Sequence, residues 1–275
     1  MLEIPECVTL ANQLCSLSGK TIVRAEANHS PHKFTWYNGD PANYSSILEG
    51  KSLGTAYPVG GYVSWKIGEN LLLFQDGVSL RLLPPGSREP KKHQLLLKLN
   101  DGSQITASVQ MYGGILLYPP VFFDNLYYQR AQEAPSPLHE DFDFAYFEHL
   151  FDNIQTKTLS AKAFLATKQR IPGLGNGVLQ DILFYAHVHP KRDVLDLSKQ
   201  ERADLFRSTK ETLLAMTNAG GRNTEKDLFG LEGGYRTILS KFTVGTPCPS
   251  CGATIEKGSY LGGSIYFCPC CQPLC

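Results

Sequence analysis

The spacing of apolar positions changes twice along the chain. Near the start, Leu10, Leu14 and Leu17 recur at three- and four-residue intervals. Pro5 can occupy the first turn and Gly19 can close the last, so the pattern predicts an opening helix. From Lys20 to about Tyr118 the apolar residues gather into short runs instead, such as Leu71-Leu72-Leu73-Phe74 and Ile115-Leu116-Leu117-Tyr118. Gly, Asp, Asn and Pro separate these runs, and Asn100-Asp101-Gly102 reads as a hairpin turn. Many short strands with no helices between them predict an antiparallel sandwich or barrel. A connector over 119–141, with four prolines, marks a domain boundary. Helical spacing then returns over 143–154, 161–167 and 178–187. A long helix follows, capped by Ser198 and stopped by Gly220-Gly221.

The tail carries the sharpest pattern. Cys248-Pro249-Ser250-Cys251 and Cys268-Pro269-Cys270-Cys271 form a C-x2-C-x16-C-x2-C array. Two short knuckles at the ends of a hairpin supply four soft thiolates to a tetrahedral metal, which predicts one structural zinc on Cys248, Cys251, Cys268 and Cys271. Free thiols or disulfides are the alternative. The two-residue spacing selects Cys271 over Cys270 and leaves Cys270 and Cys275 spare. The predicted class is α+β: a leading helix and β-sandwich over 1–130, a helical domain over 131–240, and the zinc hairpin over 241–275.

Composition changes this picture little. The 275 residues carry 26 basic and 26 acidic side chains, and no apolar run is long enough to cross a membrane as a helix. Zero net charge hides a division: 11 basic against 15 acidic residues in 1–150, and 15 against 11 in 151–275. A polyanion would be drawn to the second half. The acidic start argues against a secretory signal, and cysteines concentrated at a metal site suggest a reducing, intracellular location.

Between two predicted helices lies Gly173-Leu174-Gly175-Asn176-Gly177. Glycines there admit close approach and leave amides free at a helix start, an arrangement that accepts an anion. An ordinary interhelical turn would look the same. The flanking residues narrow the choice. Lys162-Ala163-Phe164-Leu165, Gln169, the Gly173–Asn176 turn, Gln180-Asp181 and His189-Pro190 resemble the helix–two-turn–helix segment of the formamidopyrimidine-DNA glycosylase/endonuclease VIII family. Glu3 and Pro5-Glu6 at the start, and the four-cysteine hairpin at the end, occur in the same order as in that family.

The resemblance implies base excision repair by a monomer on damaged duplex DNA, with the base flipped from the stack and its glycosidic bond cut. It implies catalytic roles for position 2, here Leu2, for Glu3 as acid/base, and for Glu6. It places DNA contacts at Asn176, Lys162, Gly173, Gly175, Lys66, Gln110 and Tyr112. The family's nucleophilic proline is replaced by Leu2, so abasic-site lyase activity is not expected. Its β-turn lysine aligns with the 66–70 segment, where Glu69 stands and Lys66 is the nearest cation. Its double arginine becomes Gln110-Met111-Tyr112, and its hairpin arginine becomes Gly263. A non-catalytic lesion binder on the same scaffold and a zinc-bearing RNA-binding protein are the competing readings. On this reading Glu3→Gln would abolish base release and leave DNA affinity intact or higher.

Overall fold

A computed structural model describes residues 2–120, 124–152, 154 and 158–274. The opening helix, α1, spans Ile4–Cys15 with Pro5 in its first turn. Leu10, Ala11 and Leu14 face the sheet, whereas Ile4 faces the helical lobe. One helix therefore serves two cores.

Seven strands follow: β1 (Ile22–Ala27), β2 (Thr35–Tyr37), β3 (Leu53–Val59), β4 (Tyr62–Ile67), β5 (Asn70–Leu83), β6 (Leu95–Leu99) and β7 (Gln104–Tyr118). Their order is β1-β6-β7-β5-β4-β3, with β2 added in parallel to β7. The predicted sandwich is thus one hydrogen-bonded sheet, carried through both of its halves by the long strands β5 and β7. Their register shifts between Asp76 and Val78, next to the turn-like φ of +50° at Asp76. Gly77 permits this irregularity, because a Cβ there would overlap the Tyr112 carbonyl.

Two short helices interrupt regions that the pattern left without any. α2 (Tyr44–Leu48) lies between β2 and β3. Its buried Tyr44 hydroxyl shares its one proton between the Asn38 and Ile115 carbonyls and accepts from the Leu117 amide. α3 (Leu126–Glu133) lies inside the proline-rich connector, capped by Asn125. Its Tyr128 hydroxyl lies 2.8 Å from the Ser64 hydroxyl. Tertiary contacts hold both helices, and five to eight residues are too few for periodicity to reveal.

The helical lobe contains α4 (Phe144–Asp152), α5 (Ala161–Ala166), α6 (Leu179–Tyr185) and α7 (Lys199–Asn218). Ser198 and Glu201 close a capping box on α7, as the sequence suggested for Ser198. The chain after α7 then returns to the sheet. Leu228 enters the sandwich core, and its carbonyl accepts from the Leu82 amide at 2.8 Å. The tail hairpin pairs β8 (Glu256–Tyr260) with β9 (Gly263–Phe267) through a two-residue turn at Leu261-Gly262, both with positive φ. Among the described residues, no helix is long and apolar enough to cross a membrane.

Candidate nucleic-acid interface and metal centre

The first residues are fastened across the gap between the lobes. Leu2 is only 5% exposed, inserts into the sheet core, and donates its backbone N–H to the Asp76 carbonyl at 2.7 Å. Glu3 points the other way, its carboxylate accepting from the Gly177 and Val178 amides at 2.8 and 2.7 Å. Arg222 Nη1 lies 3.4 Å from Glu3, while Nε and Nη2 of the same guanidinium grip Glu6 at 3.0 and 2.9 Å. All three side chains are buried.

Burial pushes the Glu3 carboxyl above its ordinary pKa, with Arg222 opposing and Glu6 adding to the rise. Burial also works against the Arg222 charge, but the two carboxylates outweigh it and raise its pKa. Nothing in the spacing of residues singled out Arg222, and only its place directly after the Gly220-Gly221 helix stop marks it. Gly177 makes the arrangement possible, since a Cβ there would overlap the guanidinium.

This geometry corrects one expectation. The amides foreseen as a phosphate cradle at the start of α6 are taken by Glu3, so the anion there is the protein's own. Gly175 and Gly173 serve close packing. A Cβ on Gly175 would come within 2.7 Å of Glu3 Oε1, and one on Gly173, at φ +83°, would overlap Gly60.

Lys66, expected on a DNA phosphate, lies away from the chain start. The turn that reaches the chain start is Gly60-Gly61, between β3 and β4, which packs on Gly173 and lies near the Leu2 carbonyl. Lys66 is exposed but five residues further along β4, on the order of 16 Å away at strand rise. Neither it nor Glu69 can stand beside Leu2. The turn that does so carries no side chain.

The other face of the 173–180 segment meets the tail hairpin. Lys162, 5% exposed, donates its ammonium to the Tyr260 carbonyl at 2.6 Å. Asn176 Nδ2 donates to the Ser264 carbonyl at 3.1 Å, and Gln180 Oε1 accepts from the Tyr266 amide at 3.0 Å. A Cβ on Gly263 would sit 3.2 Å from Lys162 Nζ and 3.5 Å from Asn176 Nδ2. Lys162 and Asn176, expected on DNA phosphates, are thus both engaged in bracing the hairpin. They converge on the bare backbone at Gly263.

Within the hairpin, Cys248, Cys251, Cys268 and Cys271 bring their sulfurs within 4.8 Å of one another, and these four could hold a metal ion. The Cys248–Cys271 and Cys251–Cys268 separations of 3.8 and 3.4 Å fit a tetrahedron of ~2.3 Å metal–sulfur bonds, whose edges are about 3.8 Å. Cys270 is exposed and outside the set, as the spacing indicated, and Cys275 lies outside the described residues. Gln272 ties the second knuckle down, accepting from the Cys268 amide and donating to the Val188 carbonyl. Phe184, Leu239 and Ile255 pack beside Cys248 and Cys268. Glu26, His29 and His93 also approach one another. Their imidazoles, however, stack at 9°, which aims the lone pairs in parallel, and Arg24 already holds Glu26 at 2.6 Å.

A cavity of about 390 Å³ opens beside the buried ion cluster. Leu2 and Glu6 line it from the chain start, Gln110, Met111 and Tyr112 from the irregular part of β7, and Arg81, Lys226 and Lys241 bring positive charge. These three cations were not foreseen, because they come from three distant stretches of chain. A second cavity, of about 500 Å³, lies between α6 and α7 around Tyr185, Asp204, Arg207 and Glu211, and none of the sequence-predicted site residues line it.

Comparison with known proteins decides what this scaffold is. The family model for the formamidopyrimidine-DNA glycosylase H2TH domain matches residues 134–227. The formamidopyrimidine-DNA glycosylase of Symbiobacterium thermophilum is 29% identical over 281 aligned positions, covering 100% of this chain and 90% of that protein. The Legionella pneumophila (strain Paris) enzyme of the same name is 27% identical, with 100% and 99% covered. The Lactococcus lactis Fpg, solved in complex with DNA containing an abasic site, superposes with a TM-score of 0.81 at 26% identity, covering 98% of this chain and 99% of that one. The chain is thus similar over nearly its whole length to formamidopyrimidine-DNA glycosylases, and its helical lobe matches their H2TH domain. Against the pattern of the family it resembles, this chain has Leu2 where proline is expected. It also has a glycine turn beside the chain start and Gly263 on the hairpin. The scaffold is retained, and the departures fall at the chain start and on the hairpin.

Proposed function

We propose that this protein is a base excision repair DNA glycosylase that binds damaged DNA, flips the damaged base and releases it. The observation that carries this reading is the cavity joining Leu2 and Glu6 to Gln110–Tyr112 and to three cations. Its volume lies in the range of small-ligand sites. The exposed Gln110 and Tyr112 at its rim suit a wedge entering the space left by the flipped base. Glu3 is assigned as the acid/base, although only its neighbours Leu2 and Glu6 line the cavity. Burial raises the affinity of Glu3 for a proton, two amides and Arg222 fix the carboxylate, and bound DNA must open the way to it. The reaction ends at base release without strand cleavage, because the position-2 nitrogen donates to the Asp76 carbonyl and carries a buried leucine.

Asn176 and Lys162 make the phosphate contacts of the helical lobe, with Lys162 supplying from beneath Gly263 the charge that the hairpin lacks. The cysteine cluster holds one structural zinc per chain, which maintains the hairpin and takes no part in proton transfer. Thiolates of this kind persist in a reducing, intracellular compartment.

The test is a base-release assay on oligonucleotides bearing oxidised, ring-opened and deaminated bases, run in parallel with borohydride trapping. Base release leaving an intact abasic strand, with little trapped complex, is the expected result. Efficient trapping would overturn the assignment of position 2, and binding without release from any lesion would overturn catalysis. Glu3→Gln should abolish release. Contrary to the simpler expectation, it should also lower stability by a few kcal/mol, since its amide would set N–H against N–H at Gly177 or Val178. Release and folding must therefore be measured together.

A further inference from the structure

Beyond the cavity rim, the surface carries rings that the reaction does not use. Strand β2 lies parallel to β7, with Thr35 opposite Gly113 and Trp36 opposite Gly114. Strand alternation turns Trp36 outward, while Tyr37 turns in to donate its hydroxyl to the Gln94 carbonyl. Trp36 and Phe34 are each 48% exposed. Trp36 lies 6.1 Å, centroid to centroid, from Tyr112, which itself lines the cavity. Two residues before Trp36, Phe34 has the Lys33 ammonium 5.3 Å from its ring centre. Rings and a cation therefore continue from the cavity rim across the outer edge of the sheet.

We propose that Trp36 and Phe34 form a stacking shelf for an unpaired nucleobase of the bound DNA, next to the nucleotide held at the cavity. This inference rests on DNA being the partner, as set out above. A nucleobase fits the shelf for two reasons. Its flat π-face matches exposed rings without hydrogen-bond complementarity, and Lys33 stands ready for the adjoining phosphate. The shelf is also continuous with the cavity through Tyr112, so a strand whose damaged base enters the cavity passes directly over it. A fully paired duplex hides its base faces and would gain nothing here. The shelf thus favours lesions in bubbles, bulges or single strands.

The tryptophans make the test direct. The chain has two, and Trp65 is fully buried, so quenching by a surface-bound base reports on Trp36. Three oligonucleotides carrying one lesion would be titrated: a paired duplex, a bubble with unpaired bases beside the lesion, and the same bubble with abasic spacers instead of those bases. The bubble should quench the emission, and the spacer bubble should not. Trp36→Ala and Phe34→Ala should each weaken bubble binding by about 5- to 150-fold, the range for one stacked base. Binding to the paired duplex should change less than twofold, and Trp36→Phe should keep most of the bubble affinity. Equal quenching by both bubbles, or equal losses on all three DNAs, would overturn the shelf while the glycosylase reading stood. Failure of the unaltered protein to bind any of the three would instead remove the DNA reading itself. Because Trp36 is half exposed, thermal melting of Trp36→Ala should match the unaltered protein, which separates a lost stack from a lost fold.

Discussion

The two ends of the chain are fastened to the same short segment, 173–180, by opposite chemistry. The N-terminal end brings charge: Glu3 and Glu6 share Arg222, all three nearly without solvent, and Glu3 takes the Gly177 and Val178 amides. The C-terminal end brings backbone carbonyls, which accept from Lys162 and Asn176 at the partly open edge of the four-cysteine hairpin. A buried ion cluster is costly to break, because each partner left behind is a desolvated charge. Contacts at the hairpin edge can be lost one at a time at a cost of ~1 kcal/mol each. The chain start is therefore held rigidly. The hairpin can be adjusted by a residue or two, and its large dependence is on the proposed zinc.

The largest effect should come from that metal. Cys251→Ser, or a strong chelator, removes one or all of the thiolate bonds, and structural zinc contributes roughly 10–16 kcal/mol in comparable small modules. Stoichiometric metal should be found in protein purified without chelator. The variant should lose the hairpin and most of its DNA affinity while keeping the circular-dichroism signal of the sheet. Loss of the whole fold would show that the hairpin is not a separable unit.

Arg222→Met comes next. It leaves Glu3 and Glu6 buried without a counter-ion and should cost about 3–5 kcal/mol, measured by urea unfolding at neutral pH. Part of that loss should be recovered in the double variant in which Glu6 also becomes Gln, because one uncompensated buried charge is then removed while Glu3 keeps its two amide bonds. A loss below ~1 kcal/mol would place the charge cluster on the same footing as the hairpin contacts and dissolve the contrast between the two ends.

Asp181 probes the junction through pH. Its buried carboxylate accepts from the Ile238 and Leu239 amides, and burial pushes its pKa up to about 6 against those bonds. A folded-state pKa above the unfolded value means that the folded form binds the proton more tightly. The associated stability is complete below about pH 4 and lost as pH rises through 6, a change of about 3 kcal/mol. The stability difference between the unaltered protein and Asp181→Asn should therefore shrink between pH 4 and pH 7. A pH-independent difference would show that Asp181 is not raised.

The smallest effects belong to the hairpin edge. Lys162→Ala should make the salt dependence of DNA binding shallower by about 0.9 in log–log slope, the share of one neutralised phosphate. Asn176→Ala should weaken binding with no change of slope, because it carries no charge. An unchanged slope for Lys162→Ala would confine that lysine to bracing Tyr260.

The sequence by itself determined much of the frame. Two C-x2-C knuckles can close on one metal at the ends of a hairpin. Leu10 and Leu14 share a face because they lie one turn apart in α1, although Leu17, read as part of that helix, reaches the core from the turn after it. Ser198 could be read as a cap because its role is local to one turn, and the structure adds Glu201 as its partner. These are local relations, and local geometry follows from residue order. What the tertiary structure decided are the relations between residues far apart. Arg222 meets Glu3 and Glu6 from more than two hundred residues away, and Leu228 returns to the core of a sheet that ends at Tyr118. Gly60-Gly61, and not the 66–70 turn, reaches the chain start. The anion foreseen at the start of α6 is Glu3, because a buried carboxylate and buried amides satisfy one another wherever the fold brings them together. No spacing along the chain encodes that meeting. Packing of the two lobes around α1 creates it.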